Sequence, residues 1–132
     1  MSGIRIEHLA LWTTDIDRCA VFYETYFGAV RGERYRNVAK GFESVFLTFS
    51  GGARLEVMST TTLSPVVAES GAQRMGITHF AVAVGSDADV DTLTERLRAD
   101  GFPILDGPRR TGDGYYESVT LDPDGNRVEV TS

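Results

Sequence analysis

The chain says the same thing twice. Ile6-Glu7-His8-Leu9-Ala10 returns as Ile77-Thr78-His79-Phe80-Ala81, and Gly52-Ala53-Arg54-Leu55-Glu56-Val57 returns as Gly125-Asn126-Arg127-Val128-Glu129-Val130. The offset is 71 residues for the histidines (8 to 79) and 73 for Gly28 to Gly101, Arg54 to Arg127 and Glu56 to Glu129. Two copies are too few for a solenoid, whose stacked units need at least about three to bury a core. They suit a duplicated module.

Each copy reads alike. Ile4 to Leu11 and Ile77 to Val84 alternate as strands do. Thr14 or Asp15 opens a helix, whose apolar stripe is Ile16, Ala20, Tyr23 and Phe27, and Gly28 suits a left-handed cap. In the second copy Ser86 or Asp87 caps, Val90, Leu93 and Leu97 form the stripe, and Gly101 ends the helix. Asp87, Asp89 and Asp91 crowd its start, where the helix dipole favours acids. Three strands follow each helix. The first set runs Val30 to Tyr35, Glu43 to Ser50 and Arg54 to Ser59; the second runs Pro103 to Gly107, Tyr115 to Leu121 and Arg127 to Thr131. Gly51-Gly52 and Asp124-Gly125 supply hairpin turns. The expected fold is α+β, with tandem βαβββ modules over residues 1–62 and 76–132 and a linker over 63–75. Within it, Ser64-Pro65 and Gly71 suggest a loop with a short helical turn.

Composition narrows the classes. The 132 residues carry a net charge of −6, with basic residues scattered apart from Arg31, Arg34, Arg36 and Lys40, and Arg109-Arg110. No basic face for a nucleic-acid backbone is expected. No apolar run approaches the ~20 residues of a membrane span, and no leader peptide is read at the start. The single Cys19 excludes an intrachain disulfide, and a cytoplasmic location is the default expectation.

The two histidines of the chain fall at matched positions, each followed about fifty residues later by a matched glutamate. Side chains alternate across a strand, so His8 shares a face with Ala10 and Trp12, and His79 with Ala81 and Ala83. Glu56 lies with Arg54 and Met58, and Glu129 with Arg127 and Thr131. If each half curls its sheet, the His and Glu strands point into one concavity. Small alanines would leave room for a guest, and Trp12 would form an apolar wall. Imidazole plus carboxylate is a borderline donor set, suited to Zn, Ni, Co, Mn or Fe(II). Singly, a strand histidine is more often structural and an exposed glutamate merely solvated. Matched placement in two diverged copies is what favours a joint metal site. Arg54 and Arg127 repeat as well, either as solvated edge residues or in support of ligand or substrate.

These residues carry a resemblance. His8-Leu9-Ala10-Leu11, Phe22-Tyr23, Gly76-Ile77-Thr78-His79-Phe80-Ala81-Val82 and Asp122-Pro123-Asp124-Gly125-Asn126-Arg127-Val128-Glu129 resemble the vicinal oxygen chelate superfamily. That superfamily includes glyoxalase I, bleomycin-resistance proteins, fosfomycin-modifying enzymes, methylmalonyl-CoA epimerase and extradiol dioxygenases. The resemblance implies a curved, cup-shaped mixed sheet (the glyoxalase/bleomycin resistance fold) and a homodimer. Glyoxalase-I-type lyases use His, Glu, His, Glu in chain order, which His8, Glu56, His79 and Glu129 match. The implied activity is a metal-dependent lyase or isomerase acting on a small carbonyl or hemithioacetal through a metal-stabilised enediolate. Glu129 would be the proton-moving base, with Glu56 as its counterpart. Trp12, Arg54, Met58 and Arg127 would face the substrate. Trp12 stands where bacterial glyoxalase I has an Arg that binds the glutathione carboxylate, and Thr60 where an Asn is expected. The implied substrate is therefore open to something other than a glutathione adduct. The alternatives are an extradiol-type dioxygenase, which Glu56 argues against, and a non-catalytic protein that binds a small molecule such as an antibiotic.

Overall fold

A computed structural model describes residues 2–64, 73 and 75–132. The chain divides into two compact units, Met1–Pro65 and Val66–Ser132. The turn expected around Ser64-Pro65 and Gly71 lies, apart from Ser64, outside the described residues.

The first unit contains β1 (His8–Trp12), α1 (Ile16–Phe27), β2 (Val30–Arg31), β3 (Tyr35–Asn37), β4 (Phe42–Thr48) and β5 (Arg54–Thr60). Its sheet runs β1-β5-β4-β2, with β3 also paired to β4. The first and last strands are neighbours and run parallel; β4 is antiparallel to β5. That order brings the histidine strand beside the glutamate strand although 48 positions separate His8 from Glu56. α1 buries Ile16, Cys19, Ala20, Phe22 and Tyr23, and the sheet buries Val45, Leu47, Leu55 and Val57. Alternation then forces Phe46, Arg54, Glu56 and Met58 onto the opposite face.

The second unit contains β6 (Phe80–Ala83), α2 (Asp87–Ala99), β7 (Ile104–Arg110), β8 (Tyr116–Leu121) and β9 (Arg127–Thr131), with sheet order β6-β9-β8-β7. Again the first and last strands pair in parallel. Val90, Leu93 and Leu97 of α2 are buried, as are Leu121, Val128 and Val130 of the sheet. Two hydroxyls enter this core and satisfy each other. Thr94 donates to the Val90 carbonyl at 2.6 Å, and its Oγ1 lies 2.6 Å from Ser118 Oγ. Among the described residues no helix is long and apolar enough to cross a membrane.

The expected helix signals operate. The Asp15 side chain accepts from the Arg18 amide at 3.0 Å. Gly28 caps α1 at φ 67, a left-handed conformation that suits glycine. Ser86, the alternative to Asp87, closes a reciprocal box with Asp89, whose carboxylate accepts the Ser86 amide at 2.8 Å. Ser86→Ala is expected to cost about 1 kcal/mol. By calorimetry that should appear as a fall in Tm of roughly 3–6 °C.

The α+β class and the two βαβββ-like modules are as expected, built on two separate mixed sheets. Several bounds differ. β1 begins at His8, because its pairing with β5 begins at Arg54, just past the Gly51-Gly52 turn; Ile4 and Ile6 lie outside it and exposed. His79 stands one residue ahead of β6. The expected strand from Val30 to Tyr35 breaks into β2 and β3, with the Gly32 amide donating to the Phe46 carbonyl between them. β7 does not stop at Gly107 but continues to Arg110. Register shifts on both sides of Asp106 carry it on, with Gly107 at φ 79. As the outer strand, β7 tolerates Pro108 in its run.

Candidate metal-binding and catalytic site

The same diagonal recurs in both modules. His8 faces Arg54 in register and Ala10 faces Glu56, so His8 and Glu56 sit on one sheet face, two residues out of step. Ala81 faces Glu129, and His79 lies two residues before Ala81. His8 Nε2 is 3.8 Å from Glu56 Oε1, and His79 Nε2 is 3.2 Å from Glu129 Oε1. The residue opposite each glutamate is an alanine, Ala10 or Ala81, too small to fill the space over it. The histidines are about two-fifths exposed (41% and 38%) and the glutamates mostly sheltered (17% and 20%). That suits a pair reached from solvent on the imidazole side.

Each pair matches the chemistry of a borderline divalent ion, with one neutral nitrogen and one anionic oxygen. A pair alone is half a donor set. Among the described residues no group of three or more His, Cys, Asp or Glu side chains gathers as a ready metal cage.

The surroundings of the two pairs have diverged. In the first module Phe46 faces Glu56, and its ring meets the His8 ring edge-on with centroids 5.3 Å apart. The Arg54 guanidinium lies 3.9 Å from the Phe46 centroid. It also forks onto Glu7, with Nε donating to Oε2 at 3.0 Å and Nη2 to Oε1 at 2.5 Å. Arg54, chiefly, and then His8 hold the Glu7 carboxyl down at about 2. Glu7 Oε1 is also 3.1 Å from His8 Nδ1. Farther along this face stands Trp12, opposite Met58. Trp12 and Tyr35, both more than half as exposed as free side chains or nearly so (48% and 56%), pack against Phe42 with centroids 6.3 and 6.1 Å away.

In the second module the corresponding face is polar. A cleft of about 350 Å³ is lined by His79 and Glu129 together with Asp106, Arg109, Glu117 and Arg127. Glu117 faces Thr131, one diagonal from Glu129. Burial first, then contact with the Glu129 carboxylate, push the Glu117 carboxyl up; Arg109, opposite it on β7, pulls the other way. Arg109 Nε donates to Asp106 at 2.8 Å. The His79 Nδ1 lies 2.9 Å from Thr78 Oγ1.

All eight residues singled out in the sequence thus lie on these faces. His8, Glu56, Trp12, Arg54 and Met58 share the first module's open face, and His79, Glu129 and Arg127 the second's. Arg54 is engaged with Glu7 and Phe46 rather than directed freely outward. Glu7, Phe46 and Glu117 escaped the sequence reading, whereas Arg109 entered it only as half of the basic pair Arg109-Arg110. Glu117 has no acidic counterpart, since Ser44 occupies the matching place opposite Met58. Alternation along Tyr116–Leu121 was the one signal for it.

The family model described as Glyoxalase/Bleomycin resistance protein/Dioxygenase superfamily matches residues 5–130. The chain belongs to this superfamily. An uncharacterised protein of Pseudomonas aeruginosa is 32% identical over 133 aligned positions, spanning 96% of this chain and 86% of its own. Superfamily members of known structure share the fold. A trypanothione-dependent glyoxalase I of Leishmania major matches with TM-score 0.78 at 20% identity, over 98% of this chain and 87% of that one. Glyoxalase I of Zea mays matches with TM-score 0.76 at 23% identity, over 96% of this chain and 44% of that one. At such identities these likenesses concern the superfamily fold and leave the substrate open.

Proposed function

We propose that this chain is a metal-dependent lyase or isomerase of the glyoxalase-I type, acting as a cytoplasmic homodimer on a small carbonyl or hemithioacetal. The observation that carries the reading is the repeated diagonal. Each module sets one imidazole and one carboxylate side by side on an open sheet face, with an alanine opposite the carboxylate. His8, Glu56, His79 and Glu129 together would hold a divalent ion such as Ni, Zn, Co, Mn or Fe(II). Bound there, the ion supplies Lewis acidity to two neighbouring substrate oxygens.

The protein's own groups do the rest. The Glu129 carboxylate takes a proton from the carbon beside the carbonyl and returns it to the neighbouring carbon. Glu117, whose hold on a proton is raised first by burial and then by contact with Glu129, keeps a second carboxyl beside it. Trp12 and Met58 of the first module and Arg127 of the second would face the substrate.

Calorimetric titration of metal-stripped protein with Ni, Co, Zn, Mn and Fe(II) tests the reading. About one ion per chain should bind, with proton release. Metal-loaded protein should then exchange the substrate's carbon-bound proton in deuterated water with methylglyoxal plus glutathione, or with another hydroxycarbonyl. Failure of all five ions to bind would falsify the enzyme reading. The Trp12, Phe42 and Tyr35 rings would then favour a binding protein for a small aromatic molecule.

A further inference from the structure

The two histidines meet different partners at both ring nitrogens. A carboxylate only accepts hydrogen bonds, whereas a hydroxyl donates or accepts. His8 Nδ1 lies 3.1 Å from a carboxylate oxygen of Glu7, while its Nε2 stays 3.8 Å from Glu56, beyond hydrogen-bonding reach. His79 differs. Its Nδ1 lies 2.9 Å from the Thr78 hydroxyl, which can donate or accept, and its Nε2 approaches the Glu129 carboxylate at 3.2 Å as an ion pair, not an aligned hydrogen bond.

We infer that Glu7 is a positioning residue that locks His8 with its proton on Nδ1 and its lone pair on Nε2, while no carboxylate fixes the tautomer of His79 in this way.

Glu7 is well built for this. Arg54 grips both of its carboxylate oxygens, and the Arg54 amide donates to the Glu7 carbonyl at 2.9 Å. Backbone and side chain of Glu7 are therefore both anchored to β5. The Phe46 ring, edge-on to His8 and beneath Arg54, closes the remaining side. No such clamp exists at Thr78, whose hydroxyl accommodates either tautomer. The two half-sites are thus unequal. His8 is set to offer Nε2 without rearrangement, whereas the tautomer of His79 is left unfixed. The repeat conserves the imidazole and the carboxylate, while the residue ahead of each histidine, Glu7 or Thr78, separates their roles.

The metal-affinity consequence rests on His8 and His79 being ligands; the tautomers themselves do not. With only two histidines, nitrogen-15 ring spectra of the full, metal-free chain at about pH 9, where imidazoles are neutral, resolve both rings. His79→Gln assigns them. The expected result is a His8 ring held with its proton on Nδ1 and a His79 ring that averages between the two tautomers. Glu7→Ala should move His8 toward the Nε2-protonated form and weaken metal binding about 10–100-fold. Glu7→Gln, which keeps an accepting oxygen, should restore the wild-type tautomer in large part. Thr78→Val should leave the His8 signals in place. Amide spectra confirm that each variant is folded. A His8 ring protonated on Nε2 in the wild-type protein, or a His8 pattern unmoved in folded Glu7→Ala, overturns the assignment of Glu7. Correct tautomers in a protein that binds no metal overturn the metal reading and leave Glu7 in place.

Discussion

Glu129→Gln is expected to lower kcat by about 10²–10⁴-fold, the usual cost of losing a positioned proton-transfer group. Glutamine fills the same volume opposite Ala81 and keeps an oxygen, so β9 and its parallel pairing with β6 should persist. What disappears is the ability to take a proton from carbon. Glu56→Gln should act differently. Glu56 faces the Phe46 ring and has no carboxyl neighbour comparable to Glu117, so its replacement should weaken metal binding more than proton transfer. Metal affinity and solvent-deuterium exchange at the substrate carbon, measured on both variants, separate the two roles. Exchange that survives in Glu129→Gln but vanishes in metal-loaded Glu56→Gln would reverse the assignment.

Gly107→Ala should destabilise the protein by about 2 kcal/mol or more, because two costs coincide. The residue has φ 79, where an L side chain is strained. A Cβ placed there would also collide with the Glu117 carbonyl and meet the Ser118 Cα at 3.0 Å. Both are backbone atoms of β8 and have little freedom to yield. Relief requires β7 to lift from β8 where Arg109 faces Glu117, so the polar cleft should loosen along with the strand. Gly52→Ala is the matched control. Its φ of 76 is similar, but nothing lies within 4 Å of the added carbon, so only the conformational cost of about 1 kcal/mol remains. Urea unfolding of the two variants gives the difference directly. Equal losses would mean that β8 moves aside freely and that the close approach does not matter.

Much of this was legible in the chain. The helices were, because their stripes and caps are local: Asp15, Gly28 and Ser86 act within a few residues of themselves. The paired ligand candidates were, because duplication marked His8 with His79 and Glu56 with Glu129. Strand bounds were less so. A strand lasts only as long as its neighbour pairs with it, and β1 waits for Arg54, while β7 runs on past Gly107 through shifted register. Trp12 and Met58 were read onto one face from alternation alone, and the register places them opposite each other.

The residues that distinguish the two half-sites had no repeat to reveal them. Glu7 reads as an ordinary exposed acid until β5 brings Arg54 alongside. Phe46 reads as core until register turns it toward Glu56. Glu117 reads as a solvated strand residue until β9 sets Glu129 beside it and burial raises its hold on a proton. By itself, then, the sequence determined the modular plan, the helices and the donor types of the candidate metal site, since periodicity and duplication are written along the chain. Only the tertiary structure decided what surrounds each donor. The parallel closure of each sheet joins residues about fifty positions apart, and in the first module it brings Arg54 onto Glu7, anchoring the carboxylate that meets His8 Nδ1.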